Sequence, residues 1–448
     1  MIARLTPLAL ALALAGCAIG PDFLRPAAPV PAAYPEAKAS ERALAVDARW
    51  WAFFNDAALN DLVDQALRSN HDLRQAIARV TQAEALAREA GAAFLPEIDG
   101  GFNTSNSKAS TRTATYNAAM PTIRNTRSAS LSTSYELDVW GRVRRSNEAI
   151  RANLLASEYG RDAIRLSVAG LVSNSYLALR AYDAQLAVAE NTLKSREESL
   201  KLVKLRVDAG LASPLDAHQA EGSLAAAQVQ LAEFRRLRAL SEHQLALLTA
   251  NPDLRIAAGD LRQMPMPPVP PAGLPADLIE ARPDIRQAEA QLIAANAGIG
   301  VAKAGYYPKF TLTGSVGSES KVLSDLFTAG AGTWALGLGA LMPILDFGRT
   351  SARVDQAKAL NEQSLIAWQS SLQTAYKEVR DALVNLREEA ESEQAQQTRV
   401  TTADKALALA NLRYKAGQAG YLEVLDAQRT ANDANTALIA TRWLRLGA

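Results

Sequence analysis

The sequence is poor in the residues that form disulfides and metal centres. Among its 448 residues there are one cysteine, Cys17, and three histidines, His71, His218 and His243, which lie far apart. A single cysteine excludes an intrachain disulfide and a cysteine-based metal site, and isolated histidines do not make a metal-binding motif. We therefore expect no metal and no cofactor.

Net charge and aromatic residues are also scarce. The 48 Lys and Arg residues balance 47 Asp and Glu residues, so the formal net charge is +1, which argues against a nucleic-acid-binding protein. The 9 Phe, 11 Tyr and 6 Trp are few for a globular enzyme of this length. With 48% hydrophobic residues the chain is not disordered as a whole, and its abundance of Ala, Leu, Gln, Arg and Glu favours long helices.

The motifs of common enzyme sites are missing. No glycine-rich phosphate loop follows a predicted strand, and no Ser-His-Asp arrangement stands out. His218 and His243 fall on predicted helices without partners. We predict no catalytic residues and a protein that is not an enzyme, with an enzyme hidden in the helical body as the alternative.

Apolar runs long enough to cross a membrane as a helix are missing as well. The run from Leu8 to Ala15 is too short, and it predicts a signal peptide at residues 1–16. Leu14-Ala15-Gly16-Cys17 resembles the lipobox of bacterial lipoproteins, in which the cysteine sulfur carries a diacylglycerol. Ala18 at the next position implies, by the same resemblance, delivery to the outer membrane. We expect a covalent lipid on Cys17.

Two proline-rich segments interrupt the rest of the chain. The spacing of prolines after Cys17 predicts that residues 17–49 form an extended, lipidated arm. A second segment, with the sequence MPMPPVPPAGLP, predicts a linker at residues 263–275. These segments delimit two larger parts of the chain.

Those two parts resemble each other. Asp72-Leu-Arg-Gln-Ala76 returns as Asp284-Ile-Arg-Gln-Ala288, and Trp140-Gly-Arg142 returns as Phe347-Gly-Arg349. The similarity predicts a tandem duplication, with a first structural repeat at residues 50–262 and a second at 276–448.

Each repeat contains a long segment without proline. Residues 142–208 and 349–415 are 67 residues each, and a helix of that length reaches roughly 100 Å. In the first segment, apolar or small residues recur at alternating steps of four and three, a heptad pattern that Arg196 interrupts. The segments predict long packed helices, for which a soluble coiled coil is the alternative.

Four segments show alternation of apolar and polar residues, which is strict at residues 128–139 and weaker after Pro96. They predict strands at about 96–106, 127–140, 308–318 and 333–346. Each has about the ten residues that a tilted membrane strand needs, yet the smallest single-chain barrels have about eight strands. Several copies must therefore share one barrel, and three copies would supply twelve strands. A small sheet in a soluble protein is the alternative.

Several motifs resemble those of TolC-like outer-membrane efflux channels, in particular the lipoprotein branch named after NodT. They run in the family's order along the whole chain: Cys17-Ala-Ile-Gly-Pro-Asp-Phe-Leu-Arg-Pro26, Trp50-Trp-Ala-Phe-Phe54, Leu274-Pro-Ala-Asp-Leu-Ile-Glu-Ala-Arg-Pro-Asp-Ile-Arg-Gln-Ala-Glu289 and Tyr421-Leu-Glu-Val-Leu-Asp-Ala-Gln428. Two features depart from the family: Ala281 stands where an Arg is usual, and the sequence ends at Leu446-Gly-Ala448 without the usual glycine-rich tail.

The resemblance implies a fold class and partners. The fold is mainly α with a membrane β-barrel: a homotrimer in which each chain gives four strands to a 12-stranded barrel and long helices to a periplasmic α-barrel. The implied function is a passive conduit anchored in the outer membrane and extending into the periplasm. An inner-membrane pump of the RND type and a periplasmic adaptor, or membrane fusion protein, would complete the efflux system.

The resemblance also points to a gate at two predicted helix turns, 208–216 and 415–426. Glu423 and Asp426 match the family's acidic aperture positions and lie at i and i+3 on one helix face. The alternative is a solvated acidic face. We expect the turn tips, which contact the adaptor, at Asp208, Gly210, Leu211, Ala212, Ser213, Pro214, Gly417, Gln418, Ala419 and Gly420.

Rival functions remain open at this point. One is a type I protein-secretion conduit, and another is a periplasmic scaffold lipoprotein built of coiled coils. Antibiotics, aromatic compounds, metal ions and signals are all compatible substrates.

Overall fold

The computed structural model describes residues 18–28, 31, 33–35, 49–114, 116–268 and 281–448. The predicted signal peptide and Cys17 lie outside the described residues, as do parts of the predicted arm and linker. The chain divides into two compact units, which are residues 1–28, 79–159 and 284–371, and residues 29–78, 160–283 and 372–448. Each unit takes segments from both predicted repeats, and the division into repeats stays a prediction.

Seven α-helices and four β-strands make up most of the described chain. The helices are α1 (Ala57–Ser69), α2 (His71–Ala92), α3 (Arg142–Asp208), α4 (Pro214–Leu248), α5 (Pro283–Ala304), α6 (Arg349–Lys415) and α7 (Tyr421–Gly447). The strands are β1 (Glu97–Lys108), β2 (Ile123–Leu137), β3 (Lys309–Ser320) and β4 (Gly332–Leu341). None of the described helices combines the length and apolar character that crossing a membrane requires.

The two longest helices begin in the same way. Asp138 accepts hydrogen bonds from the amides of Val143 (2.8 Å) and Arg144 (2.9 Å) in the first turn of α3. Asp346 accepts from the amides of Gly348 (3.1 Å) and Thr350 (2.9 Å) at the start of α6. These carboxylates satisfy amides that a helix start leaves unpaired. The start of each long helix is therefore set by an upstream aspartate.

The four strands form one antiparallel sheet in the order β1-β2-β3-β4. Its register aligns the apolar positions of neighbouring strands, because Leu131 pairs with Val316 and Val316 pairs with Trp334. Leu336 and Trp334 are 75% and 81% exposed. The alternation recognised in the sequence thus produces one continuous apolar face that no described residue of the chain covers. Strands β1 and β4 form the two edges.

The strand ends differ from the sequence prediction. β2 begins at Ile123 and ends at Leu137, whereas residues 127–140 are predicted, and β4 ends at Leu341 rather than near residue 346. Asp138 leaves β2 because it caps α3. Pro343 lacks the amide hydrogen that would continue the ladder of β4. The apolar residues Val139, Met342 and Ile344 therefore lie outside the strands.

The N-terminal residues 18–25 are docked within the first unit. They run without helix, as the prolines predict. The amide of Ile19 donates to the carbonyl of Trp140 at 3.0 Å, just before α3. Asn296 Nδ2 of α5 donates to the carbonyl of Pro21 at 3.0 Å. Two charged contacts complete the attachment: Arg145 of α3 with Asp22 (2.5 Å), and Arg25 Nη2 with Glu289 of α5 (2.9 Å). We call this segment the docked arm.

Gly300 sits beneath the docked arm without room for a side chain. A Cβ there would lie 2.6 Å from the carbonyl oxygen of Ile19, whereas a Cβ at Gly298, on the same helix, would have no neighbour within 4 Å. We expect Gly300→Ala to displace the arm and to speed its cleavage by chymotrypsin after Phe23, although alanine favours a helix by about 1 kcal/mol. Gly298→Ala is the matched control, and equal cleavage of the two variants would contradict the expectation.

The second unit contains the main apolar core. Trp51 and the α1 residues Leu59 and Val63 pack with Tyr176 of α3 and Ile439 of α7, and all are buried. Leu446, near the end of α7, belongs to the same cluster.

Candidate functional site

The first helix turn connects α3 to α4 within five residues. Gly210 has a φ of +72°, in the left-handed region, and the amide of Leu211 donates to the carbonyl of Arg206 at 2.7 Å. Ser213 then starts α4 with a capping box, in which Asp216 accepts from the amide of Ser213 at 3.2 Å, and Pro214 follows at the first helical position. The turn predicted from glycine and proline is therefore present.

The second turn connects α6 to α7 in the same way. Gly417 has a φ of +75°, and the amide of Gln418 donates to the carbonyl of Arg413 at 2.9 Å. Gly420 precedes α7 without a side-chain cap. Both turns belong to the second unit. Of the ten predicted tip residues, those with exposed side chains include Leu211, which is 77% exposed.

Arg206 links the two turns. Its Nη2 donates to the carbonyl of Lys415 at 3.2 Å, and its guanidinium lies 4.3 Å from the centre of the Tyr414 ring. Such a stack of a cation on an aromatic face contributes about 0.5–1 kcal/mol at an exposed site. The last turns of α3 and α6 are thus held side by side by one side chain.

The predicted aperture carboxylates have different surroundings. Glu423 forms an ion pair with Arg413, whose Nη1 lies 2.6 Å from Oε1. Asp426 is exposed and has no hydrogen bond or ion pair with any described residue. The structure therefore places both on one exposed face of α7, but with one charge paired and the other not.

Equivalent positions in the two turns have taken different roles. Arg206 and Asp216 correspond in the repeat to Arg413 and Glu423, at an offset of 207. Arg413 pairs with Glu423, whereas Arg206 stacks on Tyr414 and Asp216 caps α4. The pair Arg413–Glu423 was missed in the sequence. The sequence feature that could have indicated this pair is a basic residue before the Gly417 turn and an acidic residue after it.

A buried cluster lies directly behind the turns. Val203 of α3, Tyr414 of α6, and Tyr421 and Val424 of α7 pack together. The rings of Tyr414 and Tyr421 are 5.9 Å apart, and burial raises the pKa of both phenols. This core joins the two turns through packed side chains of α3, α6 and α7.

Arg196 explains the interruption of the heptad pattern in α3. Its side chain is buried and donates to Gln428 of α7, while Gln428 Nε2 donates to Ser199 at 3.0 Å. Burial lowers the pKa of Arg196. Among the described residues no carboxylate pairs with it. About three turns before the C-terminal end of α3, a polar contact therefore takes the place of an apolar contact of the heptad pattern.

No group of His, Cys, Asp and Glu side chains among the described residues is arranged to hold a metal ion.

Comparison with known proteins identifies the family. The model of the outer membrane efflux protein family matches residues 62–251 and 274–447. Nodulation protein T of Rhizobium leguminosarum bv. viciae is 36% identical over 442 residues, which cover 98% of this chain and 89% of that protein. The probable efflux pump outer membrane protein SepC of Pseudomonas putida F1 is 34% identical over 454 residues, covering 98% of this chain and 94% of that protein.

Solved structures agree with this assignment. The open-state crystal structure of the Neisseria gonorrhoeae MtrE outer membrane channel superposes with a TM-score of 0.86 at 30% identity, covering 96% of each chain. The predicted fold class, with long helices and four membrane strands in each chain, is confirmed, and so is the predicted function in efflux through the outer membrane. The chain belongs to the outer membrane efflux protein family and has the fold of its outer-membrane channels.

Proposed function

We propose that three copies of this chain form a passive conduit that carries substrates from an inner-membrane pump and a periplasmic adaptor out of the cell. The observation that supports it most directly is the four-stranded sheet with two open edges and one apolar face. An open sheet edge cannot lie in hydrocarbon, since its amides and carbonyls would remain unpaired. Pairing β1 of one copy with β4 of the next removes every edge, and three copies give a barrel of twelve strands.

The gate of this conduit would be the paired turns. In a threefold assembly, Glu423 and Asp426 supply six carboxylates, of which the three Asp426 side chains have no partner among the described residues of their own chain. Unpaired like charges near one axis repel each other and attract cations. We infer that the turns form a cation-attracting constriction, which opens when the joined ends of α3 and α6 shift. The conduit would need no catalytic residues because the pump supplies the energy.

The exposed tips would bind the adaptor. Leu211, Leu215 and Leu422 present large apolar side chains beside the turns, and each is more than 60% exposed. Apolar residues clustered at a loop tip are typical of protein contacts. The relative SepC is named as a probable efflux pump outer membrane protein, which supports a pump as the partner, and the RND type is what the motif resemblance implies.

The docked arm supports a lipid anchor on Cys17. Ala18, the first described residue, precedes the hydrogen bond from Ile19 to Trp140. Trp140 follows β2 and stacks on Tyr307 at 4.7 Å, an aromatic pair of the kind found at membrane interfaces. A diacylglycerol on Cys17 would therefore enter the bilayer beside the base of the strands.

The mass of the detergent-purified particle tests the assembly. A chain has a mass of 47.9 kDa, and we expect light scattering to give a protein mass of three chains after signal removal. The same purified particle should also conduct ions across planar lipid bilayers. A monodisperse monomer that needs no detergent once the lipid is removed would contradict the conduit and favour the scaffold.

A further inference from the structure

A cleft of about 740 Å³ lies within the first unit, where the sheet meets the helices. It is bounded by the first residues of α3 and α6, the last two turns of α5 and the segment after β4. Three arginines line it, Arg142, Arg349 and Arg353, together with one described acidic residue, Asp346. The cleft lies in a different unit from the paired turns and does not belong to the gate.

The positive charge of this cleft is only partly balanced. Arg142 pairs with Glu136 through both carboxylate oxygens, at 2.6 and 2.7 Å, and Lys309 also contacts Glu136 at 2.9 Å. Arg349 and Arg353 are exposed, and neither has an ion pair or side-chain hydrogen bond with a described residue. They stand at i and i+4 of α6, where like charges repel.

Asp346 neutralises them only in part, through its electrostatic attraction to Arg349. Its carboxylate accepts hydrogen bonds from the amides of Gly348 and Thr350 and caps α6. The hydrogen bonds with Thr350 lower the pKa of Asp346 most, and the hydrogen bond with Gly348 lowers it further. The carboxylate therefore stays ionised while it caps α6. Among the described residues, counting Arg142, Lys309, Arg349 and Arg353 against Glu136 and Asp346 leaves two positive charges without a compensating carboxylate.

Small residues keep the cleft open. Gly298 and Ala302 line it from α5 and Gly305 from the turn that follows, and a Cβ at Gly298 would meet no atom within 4 Å. Glycine inside a helix costs about 1 kcal/mol relative to alanine. Gly298 is therefore unfavourable for the helix, but a larger side chain at this position would fill the space in front of Arg349 and Arg353.

The docked arm shows which way the cleft faces. On α5, Asn296 and Gly300 contact the arm, whereas Gly298 and Ala302 line the cleft. At about 100° per residue, these two pairs lie on opposite faces of the helix. In the proposed conduit an arm that carries a lipid would run along the outer surface, which would turn the opposite face of α5 toward the lumen.

We propose that this cleft is an anion-binding site for small organic anions, bearing carboxylate groups, that pass from the helical tunnel into the barrel. The guanidinium groups of Arg349 and Arg353 would bind carboxylates through paired N–H donors, a geometry that arginine favours. Threefold symmetry would place six such arginines around the lumen. The proposal rests on the proposed conduit, since only assembly makes the cleft lumenal.

Calorimetric titration of the purified, lipidated protein in zwitterionic detergent tests the site. The probe is benzene-1,3,5-tricarboxylate at low salt. We expect Arg349→Gln/Arg353→Gln to weaken its binding at least about tenfold, which corresponds to about 1.4 kcal/mol. Gly298→Leu, which keeps every charge but fills the cleft, should weaken it as well. The matched control Arg387→Gln/Arg399→Gln removes two arginines from the same helix and should leave binding unchanged.

Each outcome decides the proposal. Equal binding by wild type and both cleft variants overturns it, as does an equal loss in the control variant, which would indicate a general charge effect. Binding of short-chain phosphatidylglycerol but not of the tricarboxylate also overturns it in favour of a lipid headgroup. Arg349→Lys/Arg353→Lys, which keeps charge and fold, should bind with intermediate affinity. Titration needs no conductance, so a monomeric or non-conducting particle contradicts the conduit independently of this result.

Discussion

Leu336→Arg is expected to prevent assembly in the outer membrane, whereas Ala335→Arg, one residue earlier on β4, leaves assembly intact. Leu336 lies on the exposed apolar face that the sheet register builds from all four strands. An arginine facing lipid near the bilayer midplane costs about 2–4 kcal/mol per chain. Ala335 points to the other face, which faces water in the proposed barrel, so the same charge at the same depth costs little there.

Membrane fractionation and the yield of detergent-purified trimer measure this difference. We expect Leu336→Arg to be degraded or recovered as aggregate, and Ala335→Arg to be recovered at the level of wild type. Equal recovery of the two variants would show that this face of the sheet does not meet lipid. The shared barrel would then have to be abandoned.

Changes in single charges at the second turn should shift cation preference in opposite directions. Asp426→Asn removes the carboxylate that no residue in the described part of the chain pairs with, and it should lower cation preference at least about twofold at low ionic strength. Arg413→Gln releases Glu423 from its ion pair and should raise cation preference. The effects should disappear in about 1 M salt, where the screening length is about 3 Å.

The reversal potential across a planar bilayer under a salt gradient measures this preference. Arg413→Gln/Glu423→Gln is the matched control, because it removes the pair without changing net charge, and its selectivity should stay near that of wild type. Glu423→Gln/Asp426→Asn should raise resting conductance or weaken cation preference, because it breaks the ion pair with Arg413 and removes both acidic charges. Identical selectivity in Asp426→Asn, Arg413→Gln and wild type would refute the acidic constriction.

Much of the turn region can be predicted from the sequence, but its charge pairing cannot. Gly210, Pro214 and Gly417 mark the turns because they impose backbone conformations that end or start a helix, and these are local properties. Glu423 and Asp426 are visible as an acidic pair on one helix face. Arg413 precedes Glu423 by ten residues across a turn, and only the path of that turn brings the side chains to 2.6 Å.

Arg196 is a second residue whose contact cannot be predicted from the sequence. The heptad pattern identifies Arg196 as an exception in α3, but the pattern does not indicate which residue its side chain contacts. Gln428 lies 232 residues further along the chain, on α7. A pairing over such a distance depends on how two helices pack, which periodicity does not report.

The sequence by itself determined the elements: Pro-free segments specify the long helices, alternation specifies the faces of four strands, and motifs specify the family. These are local signals, since each arises from the backbone preferences and burial of consecutive residues. The tertiary structure decided the strand ends, the pairing of Glu423 with Arg413, the docking of residues 18–25, and the cleft in front of Arg349 and Arg353. Each of these depends on distances between side chains from separate elements, which are settled only when the helices and the sheet pack together.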